Sequence, residues 1–241
     1  MLFRSFTARK SGILAGSLIT AVVLEECGIH TYQLLKSDGD VINPGEILMS
    51  CEGPTRAILI AERTALNFLT HLSGIATLTA QWKKAIAGTS AQVRDTRKTI
   101  PGLRELEKYA VRVGGGINHR MTLSDAALIK DNHIVAIGSI TRAVERVRSQ
   151  FPSVNIEVEA DTLDQVKEAL DAKVGMILLD NMSLEETKIA VELARDTSTK
   201  LESSGGLTLE SAAAYAATGV DYLAVGALTH SAPALDIGLD F

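Results

Sequence analysis

Cysteine is nearly missing from this chain. Cys27 and Cys51 are the only two among 241 residues, too few for a disulfide framework or a four-ligand zinc site. Both thiols are expected in apolar surroundings within a reducing compartment. Aromatic residues are scarce as well, at 4% with a single tryptophan, which is thin for a platform that stacks nucleobases. There is no excess of basic charge: 29 acidic residues face 24 basic ones, for a net charge of -5. A nucleic-acid groove is therefore disfavoured. No apolar run reaches the length of about 20 residues that a bilayer requires. The run from Ile13 to Leu24, behind Arg9 and Lys10, has the outline of a secretory signal. However, Gly16, Ser17 and Thr20 interrupt it, Glu25 and Glu26 end it, and no small-x-small cleavage site follows. It reads as core, a strand end and then a helix, in a soluble cytoplasmic protein. What remains is an ordinary globular composition, 46% hydrophobic and 22% charged.

Two textures divide the chain. Between Tyr32 and Arg56 the signals are short and β-like, with turns at Ser37-Asp38-Gly39-Asp40, at Asn43-Pro44-Gly45 and at Gly53-Pro54. From Ala57 to Ala87 the pattern is helical, and Ser73-Gly74 marks the point where one helix is expected to hand over to the next.

A different rhythm follows. Apolar runs end abruptly at Asp95-Thr96-Arg97-Lys98, at Lys130-Asp131-Asn132, at Glu159, at Asp180-Asn181, at Ser203-Ser204-Gly205-Gly206 and at Gly226. The last four ends are 21, 23 and 23 residues apart, the length of one strand, loop and helix. Parallel neighbours require such crossovers. Six units predict an α/β barrel or a large part of one, with its chemistry at the C-terminal strand ends. Helix starts at Asp161-Thr162 and at Ser183-Leu184-Glu185-Glu186 carry N-cap signals, the second in capping-box form.

Charge is unevenly distributed. Residues 94–133 hold eight Lys or Arg against five acids, so this island carries +3 and the remainder -8. A basic island in an acidic chain points to an anionic ligand. Arg97, Lys98, Arg120 and Lys130 are placed at or near strand ends, where a barrel mouth gathers side chains. Arg104, Lys108 and Arg112, four apart on a predicted helix, read as a solvated face. Glu159 and Asp180 end consecutive strands, as carboxylates that hold Mg²⁺ or ribose hydroxyls would. The loops Ser203-Ser204-Gly205-Gly206 and Gly226-Ala227 fit phosphate binding through backbone N–H groups.

At these residues the sequence resembles a known family. Asp95-Thr96-Arg97-Lys98-Thr99-Ile100-Pro101-Gly102-Leu103, Glu107-Lys108-Tyr109-Ala110-Val111, Gly114-Gly115-Gly116, Asn118-His119-Arg120 and Leu128-Ile129-Lys130-Asp131-Asn132-His133 are similar to motifs of quinolinate phosphoribosyltransferases, the carboxylating nicotinate-nucleotide pyrophosphorylases. Ala61 to Asn67, His71 to Thr77 and the tail from Val220 to Phe241 resemble them too. The resemblance implies a small N-terminal α/β sandwich domain over residues 1–65, to which residues 231–241 return, and an incomplete parallel α/β barrel over 66–230. It also implies a homodimer or higher homo-oligomer with shared sites. Family members carry a longer segment before the part that matches Ser11, so a small domain shortened at its N-terminus is expected.

By that resemblance Arg63 contacts the dicarboxylate bound to the partner subunit. Thr96, Arg97, Lys98, His119, Arg120 and Lys130 form the quinolinate pocket, with His119 either touching substrate or acting as a structural hydrogen-bond donor. Glu159 and Asp180 face the ribose hydroxyls and Mg²⁺, and Ser204, Gly205, Gly206, Gly226 and Ala227 hold the 5′-phosphate. Lys98, Lys130, Glu159 and Asp180 carry the chemistry. The implied reaction joins quinolinate to 5-phosphoribosyl 1-diphosphate, giving nicotinate mononucleotide, diphosphate and CO₂, a step of de novo NAD biosynthesis. Two alternatives stay open on the sequence: a non-catalytic barrel that binds an anion or nucleotide, and the paralogue associated with molybdate transport.

Overall fold

The computed structural model describes residues 2–240. In chain order the elements are β1 (Leu2–Ala8), β2 (Gly12–Ile13), α1 (Ser17–Glu26), β3 (Thr31–Leu34), β4 (Val41–Ile42), β5 (Ile47–Gly53) and the long helix α2 (Thr55–Ala85). There follow β6 (Gln92–Arg94), α3 (Arg104–Val113), β7 (Ala127–Ile129), α4 (Asp131–Ile137), α5 (Ile140–Gln150), β8 (Ile156–Ala160) and α6 (Leu163–Asp171). The last are β9 (Met176–Asp180), α7 (Leu184–Ala194), β10 (Lys200–Ser204), α8 (Ala212–Ala216), β11 (Tyr222–Ala224), α9 (Ala227–His230) and β12 (Ile237–Asp240). They divide between two compact units. One takes the residues up to 81, 98–116 and those from 226 on; the other takes 82–97 and 117–225.

The first unit is built on an antiparallel sheet in the order β12-β1-β5-β3. Phe6, Leu24, Ile29, Met49, Cys51, Ile58 and Leu69 form its core. Cys51 is buried and Cys27 half-buried against the same cluster, and both are free thiols. Strand β12 brings the end of the chain back to its start, pairing Ser5 with Asp240 and Ala8 with Ile237.

Helix α2 runs without a break, contrary to the hand-over expected at Ser73-Gly74. Those two residues serve close packing instead. The Ser73 hydroxyl accepts from the Ala15 N–H at 3.0 Å and donates to the Ala15 carbonyl at 3.1 Å. A Cβ at Gly74 would collide with the Pro233 carbonyl oxygen. Glycine costs a helix interior about 1 kcal/mol; tertiary packing along a 31-residue helix outweighs it.

Helix α3 departs from the expected solvated face at Lys108, which is fully buried beside Glu107, Ala110 and Val111. Glu107 and Lys108 sit on the buried side of this helix while Glu105 and Arg112 are exposed, so spacing alone misplaces Lys108. Buried Glu107 accepts from the Ile100 N–H at 3.1 Å and lies 2.9 Å from His71 Nε2.

The second unit holds a six-stranded parallel sheet in the order β6-β11-β10-β9-β8-β7. Strands β6 and β7 occupy the two edges and do not pair with each other, so this is the incomplete barrel that the strand-helix rhythm predicts. Its helices start where the caps foretell. Thr162 accepts from Gln165 N–H and Ser183 from Glu186 N–H, each in a capping box. Among the described residues no helix is long and apolar enough to cross a membrane.

Candidate active site

Side chains alternate along a strand, so residues two apart share a face. In β8 this places Glu157 and Glu159 together, in β9 Leu178 and Asp180, and in β10 Glu202 and Ser204. Glu159, Asp180 and Ser204 therefore stand at the C-terminal ends of adjacent strands, where the sequence places a site. Lys130 directly follows β7, and its Nζ lies 2.5 Å from Glu159 Oε2. Asp180 and Ser204 are register partners.

The loops beyond are held tightly. Asp180 accepts from Asn181 Nδ2 at 2.7 Å, and Asn181 N–H donates to the Ser204 carbonyl at 2.9 Å. Asn181 itself adopts a left-handed backbone at φ 54, a conformation that asparagine tolerates better than most residues. Gly205, at φ 87, packs so closely on Asn181 that a Cβ would strike the Asn181 side chain. The Ser204-Gly205-Gly206 loop is thus a compact turn at the strand ends.

At the other edge of the sheet, Thr96 and Arg97 follow β6 and Asp95. Buried Asp95 accepts from the His119 N–H at 2.8 Å and from Asn118 Nδ2. This carboxylate fixes the Asn118-His119-Arg120 segment, which lies outside helix and strand. Arg120 Nη1 donates to the Ala126 carbonyl at 2.8 Å. Burial, and then the charge of Arg97, lower the Arg120 pKa, so these two guanidinium groups lie close enough to repel. Ala126 precedes β7 whereas Lys130 follows it; the head of Arg120 and Lys130 are therefore at opposite ends of one strand. Arg120 lines a cavity of about 270 Å³ with Arg94, His119, Asp125, Glu157 and Met176. It also lines an apolar one of about 340 Å³ beside β7.

Sequence reasoning passed over Arg94, Glu157 and Glu202. Arg94 Nη1 bonds Glu202 Oε2 at 2.6 Å, and its guanidinium lies 4.5 Å from the centre of the Tyr222 ring. His119 Nε2 lies 2.8 Å from Glu157 Oε2 and 3.5 Å from Glu202 Oε1. Burial, and then the neighbouring Glu157 charge, push the Glu202 carboxyl up to about 7. A signal was present: each glutamate sits inside an apolar strand, two residues before a strand-end polar group, and a charge in such a place needs a partner.

The remaining candidates belong to the first unit. Arg63 lies on an exposed stretch of α2 that also shows Leu59 and Ile60 to solvent. The Lys98 side chain passes Gly226, where a Cβ would sit 3.2 Å from Lys98 Cδ. The Lys98 carbonyl accepts from the Thr229 hydroxyl at 2.8 Å. Ala227 begins α9.

A parallel, unclosed α/β barrel with ammonium, guanidinium and carboxylate groups at its strand ends defines a barrel protein built for a polar, charged ligand. Comparison with known proteins gives the particular family. Residues 4–73 match the N-terminal domain of quinolinate phosphoribosyl transferase and residues 75–240 its C-terminal domain. The chain belongs to the quinolinate phosphoribosyl transferase family. It is 51% identical to the carboxylating nicotinate-nucleotide pyrophosphorylase of Mycobacterium leprae, covering 98% of this chain and 85% of that one. It is 43% identical to the probable enzyme of Bacillus subtilis, covering 97% of this chain and 81% of that one. The crystal structure of nicotinate-nucleotide pyrophosphorylase from Ehrlichia chaffeensis superposes with a TM-score of 0.95 at 41% identity, covering 99% of this chain and 87% of that one.

Proposed function

We propose that this chain catalyses phosphoribosyl transfer from 5-phosphoribosyl 1-diphosphate to quinolinate with loss of CO₂, giving nicotinate mononucleotide and diphosphate. The observation that carries this reading is the row Lys130, Glu159, Asp180 and Ser204, set on adjacent strand ends in a chain that matches the family from residue 4 to residue 240.

Each group has a task that its chemistry suits. Arg97 and Lys130 neutralise the carboxylates of the pyridine diacid, joined by Arg120 once its head leaves the Ala126 carbonyl, since guanidinium groups pair with carboxylates in a planar, bidentate fashion. Thr96 and His119 complete that pocket. Glu159 and Asp180 accept hydrogen bonds from the ribose hydroxyls. Ser204, Gly205, Gly206, Gly226 and Ala227 bind the 5′-phosphate. Lys98 stabilises the negative charge that grows on the departing diphosphate while the anomeric carbon gains oxocarbenium character. Once the ring nitrogen is quaternised, its positive charge stabilises the electron pair that CO₂ leaves on the neighbouring ring carbon, and a proton taken up there completes nicotinate mononucleotide, so the protein needs no nucleophile. Its work is to hold two polyanions in line and exclude water.

Glu159 and Asp180 also fit Mg²⁺, which binds through one or two carboxylates together with substrate phosphates. The ion, when bound with the diphosphate, supplies further neutralisation of the leaving group. We further assign a homodimer in which Arg63 reaches the partner's site; the exposed Leu59 and Ile60 beside it supply apolar surface for such packing. Two unbridged thiols suit the cytoplasm.

The deciding experiment measures CO₂ released from quinolinate in the presence of the phosphosugar and Mg²⁺. Release that depends on both substrates is expected. Tight binding of the nucleotide without turnover would instead favour a non-catalytic barrel.

A further inference from the structure

Beneath the strand ends lies a second layer that the reaction as described does not use. Glu157 and Glu202 point inward from β8 and β10 with side chains that are 6% and 0% exposed. Two buried carboxylates side by side are costly unless their charge is met. Arg94 meets the charge of Glu202 and His119 gives Glu157 a hydrogen bond, while Glu157 Oε1 and Glu202 Oε1 take no hydrogen bond among the described residues.

His119 is engaged at both ring nitrogens. Nδ1 accepts the Arg120 backbone N–H at 3.0 Å, so it must be unprotonated. The ring proton then resides on Nε2 and is donated to Glu157. Asp95 grips the same segment from the other side through the His119 N–H. Ile117 bridges β6, and beyond it the peptide that carries Arg120, outside helix and strand, is held by these side-chain bonds.

We propose that Glu157, backed by Glu202 and Arg94, is a positioning residue for quinolinate: it fixes the His119 tautomer, and through His119 Nδ1 the backbone from which Arg120 projects. This rests on the reaction proposed above and assigns a purpose to a layer that touches no substrate. The same trio of His119, Glu157 and Glu202 is close enough to suggest a metal site. A proton on Nε2 and a guanidinium on Glu202 already occupy the positions that an ion would need.

The test compares Glu157→Leu with Glu157→Gln, whose carbonyl oxygen still accepts the Nε2 proton. Glu157→Leu is expected to raise KM for quinolinate by about tenfold or more, the loss of one charge-assisted hydrogen bond. KM for the phosphosugar should change by less than about twofold, and Glu157→Gln should restore quinolinate KM to within about threefold of wild type. Equal shifts for both substrates, or no rescue by glutamine, would overturn the proposal. A readout that needs neither a variant nor turnover is ¹⁵N NMR of the histidine rings, with His119 assigned by its disappearance in His119→Gln. Wild-type His119 should be protonated at Nε2 and bare at Nδ1; a proton at Nδ1, or zinc or manganese bound at this ring, would overturn it. If the wild type released no CO₂ and bound no quinolinate, the assigned reaction would fail and the network's purpose with it. The tautomer would still report separately whether the network exists.

Discussion

Lys130 and Glu159, on neighbouring strand ends, form an ion pair of 2.5 Å in which the carboxylate is the less exposed member: its side chain is 12% exposed against 48% for the lysine. The pair holds an ammonium group at the mouth of the barrel in a fixed direction. The half-exposed lysine makes the pair a weak contributor to stability, so its role is to orient.

Removing a pocket cation should therefore affect turnover far more than folding. Arg97→Ala and Lys130→Ala are each expected to lower kcat/KM by about 100-fold or more, roughly 3 kcal/mol of transition-state stabilisation, with the thermal midpoint nearly unchanged. Steady-state kinetics beside a melting curve checks this. Wild-type turnover in both variants would remove the assigned site.

Shared sites predict complementation. Neither Arg63→Ala nor Arg120→Ala should be active alone, yet a mixture that exchanges subunits should recover part of the activity, because one site in the mixed dimer is intact. Lack of recovery after exchange has been confirmed by mass would mean that each chain supplies its own site.

The Gly205 turn predicts a selective defect. Alanine there meets both a positive φ and the Asn181 side chain. The loop must shift, and KM for the phosphosugar should rise by about tenfold (a loss of about 1.4 kcal/mol) while quinolinate binding holds. Titration with each substrate separates the two effects.

Glu202 links stability to pH. Its carboxyl lies near 7 in the folded chain against an ordinary 4.5. Between those values the native state retains a proton that the unfolded chain releases, so this group's contribution falls as pH rises through 7. Glu202→Gln mimics the protonated form, keeps an acceptor for Arg94 and does not titrate. Its stability relative to wild type should thus improve from pH 5 to pH 8 in chemical unfolding. A constant difference across that range would show that Glu202 is ionised throughout.

The barrel was legible because each strand end carries its own punctuation: apolar residues stop at Lys130, Asp180 or Ser204-Gly205, and Ser183 or Thr162 then opens a helix. Residues whose role depends on distant partners were not. Strand β1 finds β12 at the far end of the chain, beyond the reach of any local pattern. Ser73-Gly74 reads as a break although it serves contacts to Ala15 and Pro233. Lys108 has the spacing of a surface residue and none of its exposure. Within the site, the strand-end groups followed from position, whereas Glu157, Glu202 and Arg94 form a network only once three strands and the loop with His119 come together. The Arg120 head, bonded toward the start of β7, could not have been placed from its motif.

The parallel sheet stays open between its two outer strands, β6 and β7. A closed ring of strands resists changes in girth, since widening it anywhere strains ladder hydrogen bonds all the way round. Here the ring is unclosed: beyond β11, β6 meets only the short parallel bridge from Arg94 to Ile117, and β7 pairs with β8 alone among the described strands. Arg97 and Lys130, two of the groups assigned to the diacid, follow β6 and β7 on either side of that opening, so no closed ladder locks the distance between them.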